Sequence, residues 1–147
     1  MRRIEDITEA IRQYDPKASI DVISKAYVFS AKVHRGQTRL SGEPYMSHPL
    51  EVAYTLTMLH MDAVSVAVGL LHDTVEDTFA TSEEIKGIFG EEIMQLVDSV
   101  TKISKINFAS KEEQQAENFR KMILAMSKDL RAILIKLADR THNVRTL

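Results

Sequence analysis

The nine residues Ala63–Leu71 constrain the fold of this chain more than any other stretch. They are apolar apart from one serine and one glycine, and a helix that is apolar on every side has to be buried on every side, with other helices packed around it. The sequence then turns abruptly polar with His72 and Asp73, followed by Glu76 and Asp77. Burying such groups without partners costs roughly several kcal/mol each. A bound metal ion would compensate for this cost.

The spacing of these polar residues predicts which of them ligate an ion and which lie over it. On a continuous helix, Glu76 lies one turn beyond His72 on the same face, and Asp77 lies one turn beyond Asp73. We therefore expect His72 and Asp73 to ligate one ion, with Glu76 and Asp77 reaching over it.

Length and composition exclude several classes of protein. A chain of 147 residues suits one domain with a real core, and we predict a single domain over residues 1–147, as part of a longer multidomain protein. The net charge of −2 argues against a nucleic-acid binder, and the absence of cysteine excludes thiol catalysis and thiolate metal sites. The first residues lack the apolar core of a signal peptide, and no apolar run is long enough to cross a bilayer, so we expect a cytoplasmic protein without a membrane partner.

The low glycine and proline content and the hydrophobic pattern of the sequence favour an all-α fold. Only five glycines and three prolines occur, and no segment alternates between apolar and polar residues at period two. Besides the helix that begins at Ala63, we predict helices from Ile20 to near Gly36, from His48 to near His60, from the Thr81 cap to Gly90, from Glu91 to about Val100, from the Ser110 cap through Met126, and from Leu130 to Leu147.

Two residues outside the central stretch carry groups that can bind a metal ion. His48 precedes Pro49, and its plain structural reading is a residue at a helix start. Asp139 follows an apolar helical segment, and its plain reading is an ion pair with Lys136 or Arg140. Taken alone, each residue is explained by this structural role, without a metal ion.

Taken together, these residues point to a metal centre. Two imidazoles and two carboxylates form a common ligand set for a catalytic ion that leaves positions open for water and substrate; the set is His48, His72, Asp73 and Asp139. Either Glu76 or Asp77 is placed to exchange a proton with a reacting water. His142 is a competing ligand that we rank below Asp139. Arg39, in a glycine-flanked loop, is suited to bracket a phosphate or to stack on a base.

Several longer sequence motifs resemble those of a known family. The His48, His72-Asp73 and Asp139 pattern resembles the signature of HD-domain phosphohydrolases. The more specific motifs are His34-Arg35-Gly36-Gln37, Ser41-Gly42-Glu43-Pro44-Tyr45, Leu71-His72-Asp73-Thr74-Val75-Glu76-Asp77-Thr78, Val100-Thr101-Lys102, Ala116-Glu117-Asn118-Phe119-Arg120 and Lys136-Leu137-Ala138-Asp139-Arg140-Thr141-His142-Asn143. From about Ala26 onward the chain resembles the N-terminal hydrolase domain of the Rel/Spo family, the bifunctional guanosine tetraphosphate synthetase/hydrolases of the bacterial stringent response.

The resemblance implies a fold, a reaction and a role for each matched residue. The fold is an HD-domain helical bundle with a metal site between helices. The reaction is manganese-dependent removal of the 3′-pyrophosphate from guanosine tetra- or pentaphosphate (ppGpp or pppGpp), which gives GDP or GTP and pyrophosphate. The implied roles are ion binding by His48, His72, Asp73 and Asp139, water activation by Glu76 and Asp77, and nucleotide contacts by Arg39, Ser41, Asn143 and Thr146. Synthetase and regulatory domains would follow in the parent chain.

Some alternatives stay open at this level. Leu40 stands where many members of the family carry lysine, which bears on nucleotide affinity. The ligand types admit manganese, iron, zinc or magnesium. An HD phosphohydrolase that acts on another nucleotide, or a nucleotide-sensing domain without turnover, fits the same ligand set.

Overall fold

The computed structural model of the chain describes residues 2–39, 42–104 and 130–145, and within these ranges the regular structure is helical. The helices are α1 (Ile4–Tyr14), α2 (Ile20–Val33), α3 (Ser47–Met58), α4 (Ala63–Leu71), α5 (Thr74–Asp77), α6 (Ser82–Phe89), α7 (Glu91–Ser104) and α8 (Leu130–Arg145). The described residues contain no strand beyond an isolated antiparallel bridge between Thr38 and Pro44. The all-α prediction is confirmed.

The apolar helix α4 lies at the centre of the packing, as its sequence predicts. Every residue from Ser65 to Leu71 is buried, and α4 contacts α2, α3, α7 and α8. Asp62 caps its first turn by accepting a hydrogen bond from the Ser65 amide at 3.1 Å. The outer helix α1 packs against α2 and α3 through the buried Ile7 and Ile11.

The approach of α3 to α4 is unusually close at Gly69. A Cβ atom at this position would lie 2.7 Å from the Leu56 Cδ1 atom and 3.4 Å from the Ala53 Cα atom, so the absence of a side chain lets the two helices meet. The helices run antiparallel, which brings His48 in the first turn of α3 beside His72 at the end of α4. This packing builds the first half of the candidate site.

Most of the predicted helices that fall on described residues are present. The Thr81 cap is confirmed by a 3.2 Å hydrogen bond from the Glu84 amide to the Thr81 hydroxyl, and α6 ends before Gly90, whose φ is 95°. Helix α7 runs one turn beyond the predicted end near Val100. Helix α1 is not among the predicted helices. The helix predicted from Ser110 to Met126 lies outside the described residues, as do the last two residues of the helix predicted to reach Leu147.

The prediction of a continuous helix from Ala63 to Asp77 is wrong. Helix α4 ends at Leu71, and α5 begins only at Thr74. Two helical carbonyls at this break accept hydrogen bonds from side chains: the Gly69 carbonyl from His72 Nδ1 at 2.7 Å, and the Leu71 carbonyl from the Thr74 hydroxyl at 2.8 Å. Side-chain donors of this kind compete with helical pairing. His72 and Asp73 therefore lie between two helices rather than within one continuous helix.

Across the described ranges, no helix combines the length and the apolar character that a membrane crossing requires.

Candidate metal centre

Four side chains converge where α3 begins, α4 ends and α8 passes behind them. His48, His72, Asp73 and Asp139 each offer a ligand atom, and these atoms lie within 4.8 Å of one another. Both histidines and Asp139 are buried, whereas Asp73 is partly buried. The structure thus brings together the four residues that the sequence suggested as a ligand set.

The distances show how tightly these atoms are grouped. The Oδ1 atom of Asp139 lies 2.5 Å from His48 Nε2 and 3.1 Å from His72 Nε2. The Oδ2 atom of Asp73 lies 3.0 Å from His72 Nε2 and 3.8 Å from His48 Nε2. Both imidazoles therefore point Nε2 at the same two carboxylates.

The opposite edge of each imidazole is held by a partner outside the cluster. His72 Nδ1 donates to the Gly69 carbonyl, which leaves Nε2 as the inward-facing ligand atom. His48 Nδ1 lies 2.7 Å from His142 Nδ1, and donation to that nitrogen leaves His48 Nε2 inward as well. Outer partners of this kind fix the ring orientation and tautomer of metal-binding histidines.

Electrostatics at the centre favour a cation. Burial alone would lower the pKa of His72, but the charges of Asp73 and Asp139 and the hydrogen bonds to them raise it well above its usual value. Burial alone would raise the pKa of Asp139, but hydrogen bonds from His48 and His72 outweigh it and hold that pKa well below its usual range. The same balance, dominated by His72 against burial, lowers the pKa of Asp73. Converging acceptor atoms need a positive charge among them, which a proton or a metal ion supplies.

A divalent ion fits this donor set. Imidazole and carboxylate ligands suit manganese, iron and zinc, and four protein ligands leave room for water and substrate at an ion that accepts more than four donors. The ion pair that provided the plain reading of Asp139 is also present, since Lys136 Nζ lies 2.6 Å from Asp139 Oδ2. Asp139 uses its other oxygen, Oδ1, toward the histidines, so the two readings are compatible.

The two further carboxylates lie beside the cluster on the short helix α5. Glu76 and Asp77 are both exposed, and Asp77 Oδ2 accepts a 2.5 Å hydrogen bond from the Tyr45 hydroxyl. Burial and the charge of Asp73 raise the pKa of Glu76, while Lys136 opposes the shift. A carboxyl group with a raised pKa is a better proton acceptor near neutral pH.

Two of the four predicted nucleotide-contacting residues, Arg39 and Asn143, lie within the described ranges. Arg39 reaches α8, where its NH2 atom donates to Asn143 Oδ1 at 2.8 Å and its NH1 atom lies 3.1 Å from His142 Nδ1. Asn143 in turn donates to Asp139 Oδ1 at 3.4 Å. Ser41 and Thr146 lie outside the described residues. The described pair thus connects the loop before α3 directly to the last helix.

One contributor to the site, Tyr45, was missed among the sequence candidates, and His142 has a different role from the one considered. Tyr45 bonds to both Asp73 and Asp77, and its only local signal is an aromatic residue that ends a turn-rich loop just before a helix. His142 was considered as a ligand, but the structure places it behind His48, where burial, followed by the charges of His48 and Arg39, lowers its pKa. A neutral His142 is the acceptor that His48 Nδ1–H requires.

A helical fold that gathers two histidines and two aspartates between α3, α4 and α8 has the ligand pattern of HD-domain proteins. The profile of the HD domain family matches residues 26–147, and the chain belongs to this family.

The resemblance to Rel/Spo proteins is confirmed by similar sequences. The chain is 61% identical over 140 residues to a GTP pyrophosphokinase of Myxococcus xanthus, covering 93% of this chain and 18% of that protein. It is 50% identical over 147 residues to the GTP pyrophosphokinase rsh of Brucella melitensis, which is 100% of this chain and 20% of that protein. It is 48% identical over 147 residues to the bifunctional (p)ppGpp synthase/hydrolase SpoT of Escherichia coli K12, which is 100% of this chain and 21% of SpoT. The chain therefore spans about a fifth of the length of these relatives.

A solved structure is also similar. It is described as a metazoan ortholog of SpoT that hydrolyzes ppGpp, and it superimposes with a TM-score of 0.65 at 31% sequence identity. The match covers 84% of this chain and 68% of that one. The HD-domain helical fold of this chain is confirmed by the likeness.

Proposed function

We propose that this chain hydrolyses the 3′-pyrophosphate of guanosine 3′,5′-bis(diphosphate), and of the corresponding pentaphosphate, releasing pyrophosphate and GDP or GTP. The observation that carries the proposal is the convergence of His48, His72, Asp73 and Asp139 within 4.8 Å, with two more carboxylates beside it. The SpoT relative and the structural neighbour are both described as acting on this nucleotide, and they support the choice of substrate.

The four converging residues hold a divalent ion, for which manganese is our assignment. When bound, such an ion supplies Lewis acidity that stabilises charge developing on phosphate oxygens. The protein contributes the geometry, because the Gly69 carbonyl and His142 keep both Nε2 atoms inward. Lys136 neutralises part of the negative charge of Asp139 from outside the cluster.

Glu76 and Asp77 act on the attacking water. The oxygen of that water bonds to the phosphorus attached to the 3′ oxygen, the bond between that phosphorus and the 3′ oxygen breaks, and the 3′ oxygen leaves with a proton. Asp77 is held by Tyr45 and orients the water, while Glu76, with its raised pKa, accepts a proton from it. Both groups stand outside the ligand set, so proton transfer does not require a ligand to leave its place.

Arg39 and Asn143 form the described part of the nucleotide site. The Arg39 guanidinium lies between Asn143 and His142, so it is fixed before substrate arrives. A guanidinium presents planar donors that match phosphate oxygens and a flat face for a base. We assign Ser41 and Thr146 to the same site from the family resemblance.

We also propose that the chain is one hydrolase domain within a longer protein that carries synthetase and regulatory domains. Matches that span 18 to 21% of relatives named as a GTP pyrophosphokinase and as a bifunctional synthase/hydrolase support this arrangement.

The direct test is release of pyrophosphate from guanosine tetraphosphate in the presence of manganese. We expect turnover by the wild-type chain, and a loss of about 100-fold or more in kcat for Asp77→Asn with manganese content retained. Lys86→Gln, an exposed substitution on α6, is the matched control that keeps full activity. A wild-type chain that is loaded with manganese and releases no pyrophosphate contradicts the proposal.

A nucleotide-binding domain without turnover is the second candidate. The names of the Myxococcus and Brucella relatives refer to synthesis rather than to hydrolysis. Binding of guanosine tetraphosphate that leaves the nucleotide intact after long incubation favours this candidate. Release of another product from a panel of phosphorylated nucleotides, with guanosine tetraphosphate unchanged, indicates a different substrate.

A further inference from the structure

The hydroxyl group of Tyr45 lies between two carboxylates with different roles. It is 3.1 Å from Asp73 Oδ2, in the ligand cluster, and 2.5 Å from Asp77 Oδ2, outside it. A phenol has a single proton to donate, so the two carboxylates compete for one hydrogen bond.

The Tyr45 ring is held in place by contacts that do not involve its hydroxyl group. It stacks on the buried His34 ring, with the centroids 4.0 Å apart and the planes 19° apart. The Tyr45 amide donates to the Gln37 carbonyl at 3.2 Å, and the Gln37 side chain donates to the Asp77 carbonyl at 3.3 Å. The loop that carries Tyr45 is thereby fastened to α5 by contacts other than the hydroxyl.

The phenol also stays protonated. The ordinary pKa of a tyrosine hydroxyl is about 10. The hydroxyl is therefore a donor at neutral pH, and its proton goes to whichever carboxylate is the better acceptor.

We propose that Tyr45 is a positioning residue that couples ion binding to the catalytic carboxylate. A cation that draws charge from Asp73 makes that carboxylate a weaker acceptor, and the Tyr45 hydroxyl then donates to Asp77 alone. Filling the ion site thus strengthens the hydrogen bond that holds Asp77 beside the attacking water. This inference rests on the function proposed above for Asp77, and it adds a residue that the ligand set and the catalytic pair do not contain.

The chain contains a matched control for the removal of one tyrosine hydroxyl. Tyr14 stacks on His60 with the ring centroids 4.5 Å apart, and its hydroxyl donates to the Met61 carbonyl at 2.6 Å. His60 follows the end of α3, the opposite end from His48, about 15 Å away along the helix. Tyr14→Phe thus removes a stacked tyrosine hydroxyl without touching the candidate site.

Kinetics of Tyr45→Phe and Tyr14→Phe provide the first test. With guanosine tetraphosphate and manganese, we expect Tyr45→Phe to lower kcat about tenfold or more while KM and manganese affinity change less than about threefold. Tyr14→Phe keeps all three values. A Tyr45→Phe rate within about twofold of the wild type overturns the proposal. Full rescue of the rate by excess manganese also overturns it, because Tyr45 would then serve only to retain the ion.

The second test does not depend on hydrolysis. The chain has four tyrosines, so labelling with 13C at Cζ gives four resonances, and Tyr45→Phe and Tyr14→Phe assign two of them. Titration with zinc, which is diamagnetic, should shift the Tyr45 resonance and leave that of Tyr14 in place. A Tyr45 resonance that does not move while zinc saturates the site overturns the coupling. A clear shift in a wild-type chain that releases no pyrophosphate sinks the proposed function while supporting the link between Tyr45 and the ion.

Discussion

The Nδ1 atoms of His48 and His142 lie 2.7 Å apart, with the planes of the two rings only 21° apart. A centroid separation of 4.9 Å is that of two rings lying edge to edge, which is the geometry of a hydrogen bond in the ring plane. One imidazole donates and the other accepts. Because Arg39 NH1 also lies 3.1 Å from the same nitrogen of His142, His142 is the acceptor and remains neutral.

Replacing His142 should therefore weaken metal binding without removing a ligand. Loss of an outer partner of a metal-binding histidine costs about 10- to 100-fold in affinity, and we expect a loss in this range for His142→Ala, measured by manganese titration followed by electron paramagnetic resonance. The control is His60→Asn, because His60 is exposed and has a φ of 56° that asparagine tolerates. Unchanged manganese affinity in His142→Ala would mean that His48 keeps its orientation without this partner.

Two glycine-to-alanine changes should have opposite effects on stability. Gly87 lies in α6 with no atom within 4 Å of an added Cβ, so Gly87→Ala should stabilise the protein by about 1 kcal/mol through helix propensity. Gly69→Ala gains the same propensity but places Cβ 2.7 Å from the Leu56 side chain, which is fully buried. Overpacking of that kind costs about 1–3 kcal/mol, so the net change should be a destabilisation on the order of 1 kcal/mol.

Urea unfolding of both glycine variants measures the two changes against the same wild type. Stabilisation by Gly69→Ala equal to that by Gly87→Ala would show that α3 and α4 can separate freely at this point.

Asp62 should contribute stability that depends on pH. Its carboxylate caps α4 through the Ser65 amide and lies 2.9 Å from Arg131 NH1. Burial opposes ionisation, but these hydrogen bonds and the Arg131 charge outweigh it and lower the pKa of Asp62 below its ordinary value of 3.8. A lowered pKa means that the contribution is fully present above about pH 4 and disappears as the pH falls through the folded-state pKa.

Substitutions separate the cap of α4 from the charge of Asp62. At pH 7, Asp62→Ala should lower the free energy of unfolding by about 1–2 kcal/mol, and Asp62→Asn, which retains a cap, by less. The gap between the wild type and Asp62→Asn should be smaller at pH 3 than at pH 7, because the contribution of the carboxylate is lost as the pH falls below about 4. A gap of the same size at both pH values would remove the ionised carboxylate from the explanation.

Sequence patterns predicted those parts of the structure that depend on local chemistry. The apolar stretch Ala63–Leu71 became the buried central helix, and the Thr81 capping box became a helix start. The grouping of His48 with His72 and Asp139 was also predictable, because each sits at the end or flank of an apolar helix, and buried polar groups must find one another.

The parts that were not predicted depend on contacts between distant residues. The bond between His48 and His142 spans 94 residues, and that between Tyr45 and Asp77 spans 32; neither leaves a periodic trace in the sequence. The interruption between α4 and α5 involves the His72 and Thr74 side chains, which hydrogen-bond to the Gly69 and Leu71 carbonyls. Helix α1 is different, since Ile4, Ile7 and Ile11 have helical spacing and the signal was there to be found.

The four converging side chains come from three places in the chain, and His48 and Asp139 are 91 residues apart. An ion held by all of them is a cross-link that closes a long loop, and it binds the native state because the unfolded chain does not bring these atoms together. The free energy of ion binding therefore adds to that of folding, by about 2.7 kcal/mol when the free ion is at 100 times its dissociation constant. With an ion bound as proposed, metal supply and thermal stability are one linked property, and a chelator is expected to lower the stability of the folded chain.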